Sequence, residues 1–244
     1  MKINSIFISE LFIFVKVLHI SDLEIAFREQ TLLRKGELRL NKAELIVLAG
    51  KNGAGKSTFL KMICGLMPLQ KGSVKLIGTE LHSDSPIHEL VSFMPSMPPQ
   101  QCYLTVDELV KTSHVQGNAI FGKRGVATDK YLQKVGMISF AQRVFNSLSD
   151  GEKQKVMIAR ALAQETPIIL LDEPLAFLDY PSKIELLDVL KQVSINEQKL
   201  IIYSSHDLEI SMKQSDGMIL LDGGLLKLLH SEMLKESNPS HLFQ

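Results

Sequence analysis

The 244-residue chain lacks tryptophan and contains only two cysteines, Cys64 and Cys102. Two isolated cysteines make neither a disulfide framework nor a zinc site, so the cysteine content favours a reducing cytosol. The chain also lacks an excess of charge of either sign, because 27 basic residues balance 27 acidic residues. Bulk charge therefore gives no argument for nucleic acid or for an anionic membrane surface as a partner.

A long uninterrupted hydrophobic run is absent as well. The most apolar stretch, residues 3–20, is interrupted by Glu10, Lys16 and His19, and it is too short and too broken for a membrane span. No small-residue cleavage site follows Lys2, so we do not expect a signal peptide. We interpret residues 1–16 as an N-terminal extension to which the sequence assigns no role. Any membrane function is expected to come through a partner.

Short apolar runs alternate with helical patterns along most of the chain. Strand-like patterns cover residues 19–27, 36–40, 43–50, 72–78, 90–95, 167–174, 199–206 and 217–224, and helical patterns cover residues 55–66 and 182–193. This alternation predicts an α/β fold with a mostly parallel sheet. Helical patterns dominate from residue 96 to about residue 163, which indicates a helical insertion into that sheet.

Residues 50–58 read GKNGAGKST and fit the pattern G-x-x-x-x-G-K-[ST] between a strand and a helix. Glycines let the backbone curl so that several N–H groups point at phosphate oxygens. Lys56 is expected to reach the β- and γ-phosphates, and the Ser57 hydroxyl is expected to bind Mg²⁺. The predicted ligand is a nucleoside triphosphate, held by Gly50, Lys51, Asn52, Gly53, Ala54, Gly55, Lys56, Ser57 and Thr58.

A pair of acidic residues, Asp172 and Glu173, ends the apolar run IILL. In open parallel sheets, ligands bind at the carboxyl ends of the strands, so these carboxylates are expected to face the crevice of the phosphate loop. Asp172 is predicted to hold Mg²⁺, through water. Glu173 is predicted to accept a proton from the attacking water.

Five segments in a fixed order carry a resemblance to a known family. They are GKNGAGKST (residues 50–58), LSDGE (148–152), ILLDEP (169–174), LAFLD (175–179) and SSHD (204–207). In this order they resemble the ATP-binding-cassette ATPases from about Leu18 onward. The resemblance implies a RecA-like P-loop NTPase core with an antiparallel β edge (about residues 17–95 and 165–235). It also implies an inserted helical subdomain at about residues 96–164, and the chain is interpreted as a single domain.

The resemblance also assigns roles to single residues. It implies that Phe27 stacks on adenine and that His206 contacts the γ-phosphate together with Glu173. It implies a head-to-tail dimer with a second copy of the chain and two ATP molecules at the interface. In that dimer Ser149 and Gly151 meet the nucleotide of the neighbouring chain, and Asp179 links the two active sites.

The segment Ser149–Glu152 has a second reading that depends on spacing alone. Serine followed three residues later by glutamate has the spacing of a capping box, in which each side chain bonds the backbone of the other residue. The cap is compatible with anion binding, because a helix N-terminus carries free N–H groups and partial positive charge. The family's usual residue at Asp150 is glycine, so we expect the Asp150 carboxylate to turn away from the nucleotide.

The chain departs from the family pattern at two further positions. Ser96 stands where the family has a glutamine near Mg²⁺, and Gln100 and Gln101 follow four and five residues later. Because an extended chain gains about 3.3 Å per residue, these glutamines reach the site only if the proline-rich loop folds back. Ala43 stands in the NKAE turn where the family commonly has glycine.

LTVDELV (residues 104–110), residues 135–187 and SSHDLEIS (204–211) resemble the ATPases of iron–siderophore, haem and vitamin B12 importers. AFLDYP (176–181) is the most telling part of this resemblance. This resemblance implies an integral membrane permease as partner and a peripheral location at the cytoplasmic face of the inner membrane. A substrate-binding protein would act only indirectly, and no nucleic acid is expected. The alternative is an ATPase of the iron–sulfur-cluster-assembly type that acts on a soluble scaffold.

Overall fold

The structure, a computed structural model, describes residues 16–27, 30–82, 85–114 and 128–230. Residues 1–15 of the predicted extension lie outside the described residues. Five side chains inside these ranges are not described either: those of Phe27, Gln30, Thr31, Lys35 and His114.

Five parallel strands form the core of a ten-stranded sheet, in the order β9-β3-β8-β7-β6. Their side chains are almost entirely buried, which is the pattern of a parallel sheet covered on both faces. Strand β8 lies between β3 and β7, so the carboxyl ends of these three strands meet at one edge. The strands are β3 (Leu45–Gly50), β6 (Val91–Met94), β7 (Ile168–Leu171), β8 (Leu200–Ser204) and β9 (Gly217–Asp222).

The remaining strands extend the sheet as an antiparallel edge in the order β5-β4-β1-β2-β10. They are β1 (Lys16–Phe27), β2 (Gln30–Asn41), β4 (Lys71–Leu76), β5 (Thr79–Glu80) and β10 (Leu225–His230). Strand β10 pairs antiparallel with β9 and joins β2 through one parallel bridge, between Leu225 and Lys35. The expected α/β fold with an antiparallel edge is confirmed.

The helices cover both faces of the sheet. They are α1 (Lys56–Ile63), α2 (Ile87–Leu90), α3 (Val106–Lys111), α4 (Asp129–Lys134), α5 (Asp150–Ala163), α6 (Tyr180–Asn196) and α7 (Leu208–Gln214). Short 3-10 turns lie at Thr112–His114, Ile138–Phe140 and Phe145–Ser147. None of the helices in the described ranges is long and apolar enough to cross a membrane.

Two hydrophobic cores lie on opposite faces of the parallel strands. Along β3, Leu45, Val47 and Ala49 join one core, whereas Ile46 and Leu48 join the other. The first core also holds α3, α4, α5 and α6, and the second holds α1 and the antiparallel strands. The helices between residues 96 and 164 therefore pack on the sheet face that is opposite α1.

Candidate active site

The end of β3 and the loop that leads to α1 contain three glycines whose backbone leaves little choice of residue. Gly53 has φ 78° and Gly55 has φ 98°, in the left-handed region that side chains with a Cβ avoid. Gly50 is required for a different reason, because a Cβ there would lie 2.7 Å from the carbonyl oxygen of Leu221. The loop can therefore turn sharply from the end of β3 into α1, which begins at Lys56.

Lys56 folds back over this loop. Its Nζ donates to the carbonyl oxygen of Gly50 at 2.9 Å, and the residue is only 8% exposed. Burial lowers the pKa of Lys56, while the carboxylates of Glu173 and Asp172 act in the opposite direction. The structure thus brings the lysine of the loop close to both acidic residues at the end of β7.

The other loop residues border an open cleft. Lys51, Asn52, Gly53 and Ala54 line a cleft of ≈ 350 Å³ together with Leu32, Arg34 and residues 221–224. Ser57 and Thr58 are half-buried in the first turn of α1. A larger cleft of ≈ 420 Å³ lies between the end of α1 and strands β4 and β5, and none of the candidate site residues lines it.

Asp172 follows the last residue of β7 and is 2% exposed. Its Oδ1 accepts a hydrogen bond of 2.7 Å from the Ser204 hydroxyl, and its backbone N–H donates to the carbonyl oxygen of Met94. Ser204 ends the neighbouring strand β8. The carboxylate is therefore oriented by its two neighbouring strands.

Glu173 has left-handed backbone, with φ 52°. A non-glycine residue in this region costs about 1–3 kcal/mol and persists only where its surroundings enforce it. Two hydrogen bonds of 2.8 Å hold the backbone here: the Glu173 N–H donates to Ser204 Oγ, and the Glu173 carbonyl oxygen accepts from Gln154 Nε2. The direction of the Glu173 side chain is thus set by contacts from β8 and α5.

His206 lies beside the Glu173 carboxylate. Its Nε2 is 3.0 Å from Glu173 Oε1, and its side chain is 54% exposed whereas that of Glu173 is 22% exposed. Burial raises the pKa of Glu173, and the nearby charges of His206 and Lys56 oppose that rise. A carboxylate with a raised pKa can accept a proton more readily than one in water.

The start of α5 forms the capping box predicted from the sequence. Ser149 Oγ accepts from the Glu152 N–H at 3.3 Å, and Glu152 Oε2 accepts from the Ser149 N–H at 2.7 Å. The Asp150 carboxylate lies 3.4 Å from Lys153 Nζ and is 65% exposed. The helix then buries Val156, Ala159, Leu162 and Ala163.

Gly151 has a structural requirement that the sequence did not reveal. A Cβ at this position would lie 2.9 Å from the carbonyl oxygen of Phe177, a residue that itself has left-handed backbone at φ 63°. The start of α5 therefore packs against residues 175–179 of the same chain. The glycine permits this approach whether or not a phosphate also comes near.

Asp179 is exposed and caps α6. Its Oδ1 accepts from the Ser182 N–H at 3.0 Å, and the hydrogen bonds with Ser182 lower the pKa of the Asp179 carboxyl group. Ser149 is exposed as well, and both residues leave polar atoms at the surface of the chain. Neither of them contacts the Lys56 loop through a hydrogen bond that the structure shows.

Within the described residues, no hydrogen bond joins Ser96, Gln100 or Gln101 to the site. The Phe27 side chain lies outside the described residues. Ser96 is half-buried two residues after β6 ends, and Gln100 and Gln101 are exposed. Two residues that hold Glu173 were missed in the sequence. The signal for Ser204 is a hydroxyl at the end of an apolar strand, and the signal for Gln154 is an amide four residues before Ile158, on the same face of α5.

The phosphate loop, the acidic pair at the end of β7 and His206 therefore meet at one edge of a RecA-like sheet. The sequence profile of the ABC transporter family matches residues 33–176, which is more than half of the chain. The chain belongs to the ABC transporter family. The ATP-binding subunits of this family are ATPases coupled to transport, so this ABC chain binds nucleotide and is an ATPase.

Relatives of this ABC ATPase include import proteins. The achromobactin transport ATP-binding protein of Dickeya dadantii (strain 3937) is 33% identical over 204 residues, covering 81% of this chain and 76% of the relative. The iron(3+)-hydroxamate import ATP-binding protein of Bacillus subtilis (strain 168) is 31% identical, covering 88% and 84%. A nucleotide-free ATP-binding cassette shares the fold at TM-score 0.82 and 19% identity, covering 92% of this chain and 96% of the other.

Proposed function

We propose that this chain hydrolyses ATP to drive the import of an iron–siderophore-type chelate through a partner permease. The observation that carries the ATPase part is the meeting of Lys56, Asp172, Glu173 and His206 at the carboxyl ends of β3, β7 and β8. The names of the achromobactin transport relative and the iron(3+)-hydroxamate import relative support the transport of such a chelate, and the second name supports its import. The proposed location is the cytoplasmic face of the inner membrane, through the permease.

The residues at this edge suit ATP with Mg²⁺. Lys56 is placed to neutralise the phosphates, and the amides of the glycine-rich loop are placed to bind their oxygens. Asp172 and Ser57 offer a carboxylate and a hydroxyl, the oxygen ligands that Mg²⁺ prefers, and the ion takes its remaining ligands from phosphate and water. When bound, Mg²⁺ would neutralise charge on the phosphate oxygens. Phe27 is proposed to stack on adenine.

Glu173 is the proposed general base. The raised pKa of its carboxyl group favours proton uptake from a water that attacks the γ-phosphate. His206, at 3.0 Å from Glu173 Oε1, is proposed to hold the geometry between this carboxylate and the γ-phosphate. Because the backbone of Glu173 is fixed on both sides, the carboxylate has little freedom to leave this position.

The proposed active unit is a head-to-tail dimer. The first turn of α5 leaves backbone N–H groups without intrahelical partners, so an anion brought by a second copy can be bound there. The N–H and hydroxyl of Ser149 itself donate to Glu152 in this chain. Gly151 leaves this turn free of a side chain. Asp179 is exposed and lies two residues after Phe177, whose carbonyl oxygen packs on Gly151. Each ATP would then lie between the Lys56 loop of one copy and the Ser149 turn of the other.

The substitution Glu173→Gln tests the ATPase proposal. It keeps the shape of the side chain but removes the proton acceptor, so turnover should fall by about 100-fold or more while ATP still binds. Turnover by inorganic phosphate release and binding of a fluorescent ATP analogue are the two measurements, with Lys56→Ala as the contrasting variant that loses binding. Turnover within a few-fold of wild type would remove Glu173 from its proposed role.

Affinity purification can distinguish a transporter subunit from an assembly ATPase. Affinity purification of the wild-type chain from detergent-extracted membranes should recover a multi-span permease. Recovery of a soluble scaffold protein from the cytosolic fraction, with nothing from the membranes, would support the iron–sulfur-cluster-assembly type instead.

A further inference from the structure

Gln154 is a fully buried polar residue of α5, although it lies between Lys153 and Lys155 in the sequence. It is 0% exposed, and the helix around it buries Val156, Met157 and Ile158. A buried amide needs hydrogen-bond partners, because an unmade bond inside the protein costs free energy. Its Nε2 donates at 2.8 Å to the carbonyl oxygen of Glu173, whereas its Oε1 has no partner among the described residues. Within the described residues, the bond to the Glu173 carbonyl oxygen is therefore the one hydrogen bond of this buried amide.

The contact is made to a backbone that needs support. Glu173 has φ 52°, a conformation that persists only where the surroundings over-determine it. Ser204 accepts from the N–H of Glu173, and this hydroxyl also donates to Asp172. The Glu173 carbonyl oxygen accepts from the Ala176 N–H of its own turn at 3.1 Å and from Gln154 Nε2 at 2.8 Å, so Gln154 is the donor that ties this carbonyl to another element, α5. Without Gln154, this turn keeps its local bond from Ala176 but loses its tie to α5, so the whole turn, including the Glu173 side chain, can shift relative to the sheet.

We propose that Gln154 is a positioning residue for hydrolysis, which holds the Glu173 backbone so that its carboxylate faces the attacking water. This inference rests on the proposed role of Glu173 as the base. We do not expect Gln154 to touch the nucleotide, because its amide bonds the carbonyl oxygen of Glu173 and makes no hydrogen bond to the Lys56 loop within the described residues. Its removal should therefore change the rate of the chemical step and leave ATP binding intact.

The test is Gln154→Leu, which keeps the volume and removes the donor. We expect kcat for ATP hydrolysis to fall by about 10- to 100-fold, the effect of misplacing a catalytic group by about 1 Å. KM for ATP should stay within about twofold of wild type, because the Lys56 loop is untouched. The matched control is Gln164→Leu, since Gln164 at the end of the same helix also donates to a backbone carbonyl, that of His88.

A double-mutant cycle with Glu173→Gln separates positioning from general damage. If Gln154 acts through Glu173, then adding Gln154→Leu to Glu173→Gln should leave the small residual rate unchanged within about twofold, because coupled residues are not additive. A further loss equal to that of the single variant, or a rise in KM that matches the loss in kcat/KM, would overturn the inference. Unchanged kcat in Gln154→Leu would also overturn it.

Failure of this inference can be told apart from failure of the proposed function. If Glu173→Gln itself hydrolyses ATP like wild type, the proposed base is wrong. If Glu173→Gln is inactive and Gln154→Leu is fully active, only the positioning role is wrong. Thermal melting of each variant controls for folding, and Gln154→Met, an unbranched side chain of similar length, serves as the second variant if Gln154→Leu does not fold.

Discussion

At the scale of single residues, left-handed backbone at Ala43 and at Glu173 has two different consequences. Ala43, with φ 59°, lies in the turn before β3, at a position where the family commonly has glycine. The conformation explains that preference, because a Cβ is disfavoured at this φ. Glu173, with φ 52°, lies at the proposed reaction centre, and no glycine could replace its carboxylate. Strain at Ala43 is tolerated, whereas strain at Glu173 accompanies its proposed chemistry.

The burial of Glu173 predicts that the proposed base lowers stability at neutral pH. The pKa of Glu173 is raised in the folded chain from an ordinary value of 4.5 by burial, so between the two pKa values the native state binds more proton than the unfolded state. Stability from this group is therefore complete below the ordinary pKa and is lost as the pH rises through the raised pKa. Glu173→Gln, which stays neutral, should unfold at higher urea concentration than wild type at pH 7.

Urea unfolding of the two proteins without nucleotide or Mg²⁺ is the measurement. The advantage of Glu173→Gln should shrink near pH 4, where the carboxyl group is mostly protonated in both states. Glu209→Gln is the matched control, because Glu209 is exposed and lies outside the site. This variant should show no such gain at pH 7. If Glu173→Gln were less stable than wild type at pH 7, the pairing with His206 and Lys56 would outweigh burial.

At the scale of helices and strands, the sequence predicts best what neighbouring residues determine. The strand–loop–helix around Lys56 follows from glycine spacing and one apolar run, and the structure confirms both elements. Strand β10 was missed, although Gly223 and Gly224, with φ 56° and 81°, are a typical two-residue hairpin signal. Helix α7 was missed as well, because its seven residues are too few for a clear periodic pattern.

Contacts between distant elements were beyond prediction from one sequence. The Gln154 bond to Glu173 and the packing of Gly151 on Phe177 both join α5 to the segment after β7. Each depends on how the helical insertion lies on the sheet, which hydrophobic periodicity does not specify. The residue types at the site were therefore predictable, whereas the interactions that hold Glu173 in place required the structure.

Gly151→Ala gives a test of that packing by the sign of its effect. In a helix with free space, alanine would add about 0.8–1 kcal/mol of stability over glycine. Here the new Cβ would lie 2.9 Å from the Phe177 carbonyl oxygen, and overpacking of this kind costs about 1–3 kcal/mol. We therefore expect a lower free energy of unfolding in urea, with a larger loss for Gly151→Ser. A gain for Gly151→Ala would show that residues 175–179 are not held against α5.

At the scale of the whole molecule, the proposed site is divided between two regions of the chain. The Lys56 loop lies at the end of β3, and Ser149 lies exposed at the start of α5. The structure shows no hydrogen bond between these two regions within the described residues. A head-to-tail dimer is the symmetric arrangement that uses both regions in every copy, since each copy supplies a loop to one site and a turn to the other.

Mixing two inactive chains tests this division of the site. A Ser149→Arg chain keeps a sound Lys56 loop, and a Lys56→Ala chain keeps a sound Ser149 turn, so their heterodimer contains one intact composite site. With random pairing, half of the dimers are heterodimers and one of their two sites is intact, so about a quarter of wild-type turnover should return. The control mixes Ser149→Arg with the double variant Ser149→Arg/Lys56→Ala, which offers no intact site. If turnover of the mixture never exceeds the sum of the separate chains, Ser149 and Lys56 would act in the same site of one copy. If Ser149→Arg alone were active, Ser149 would be dispensable.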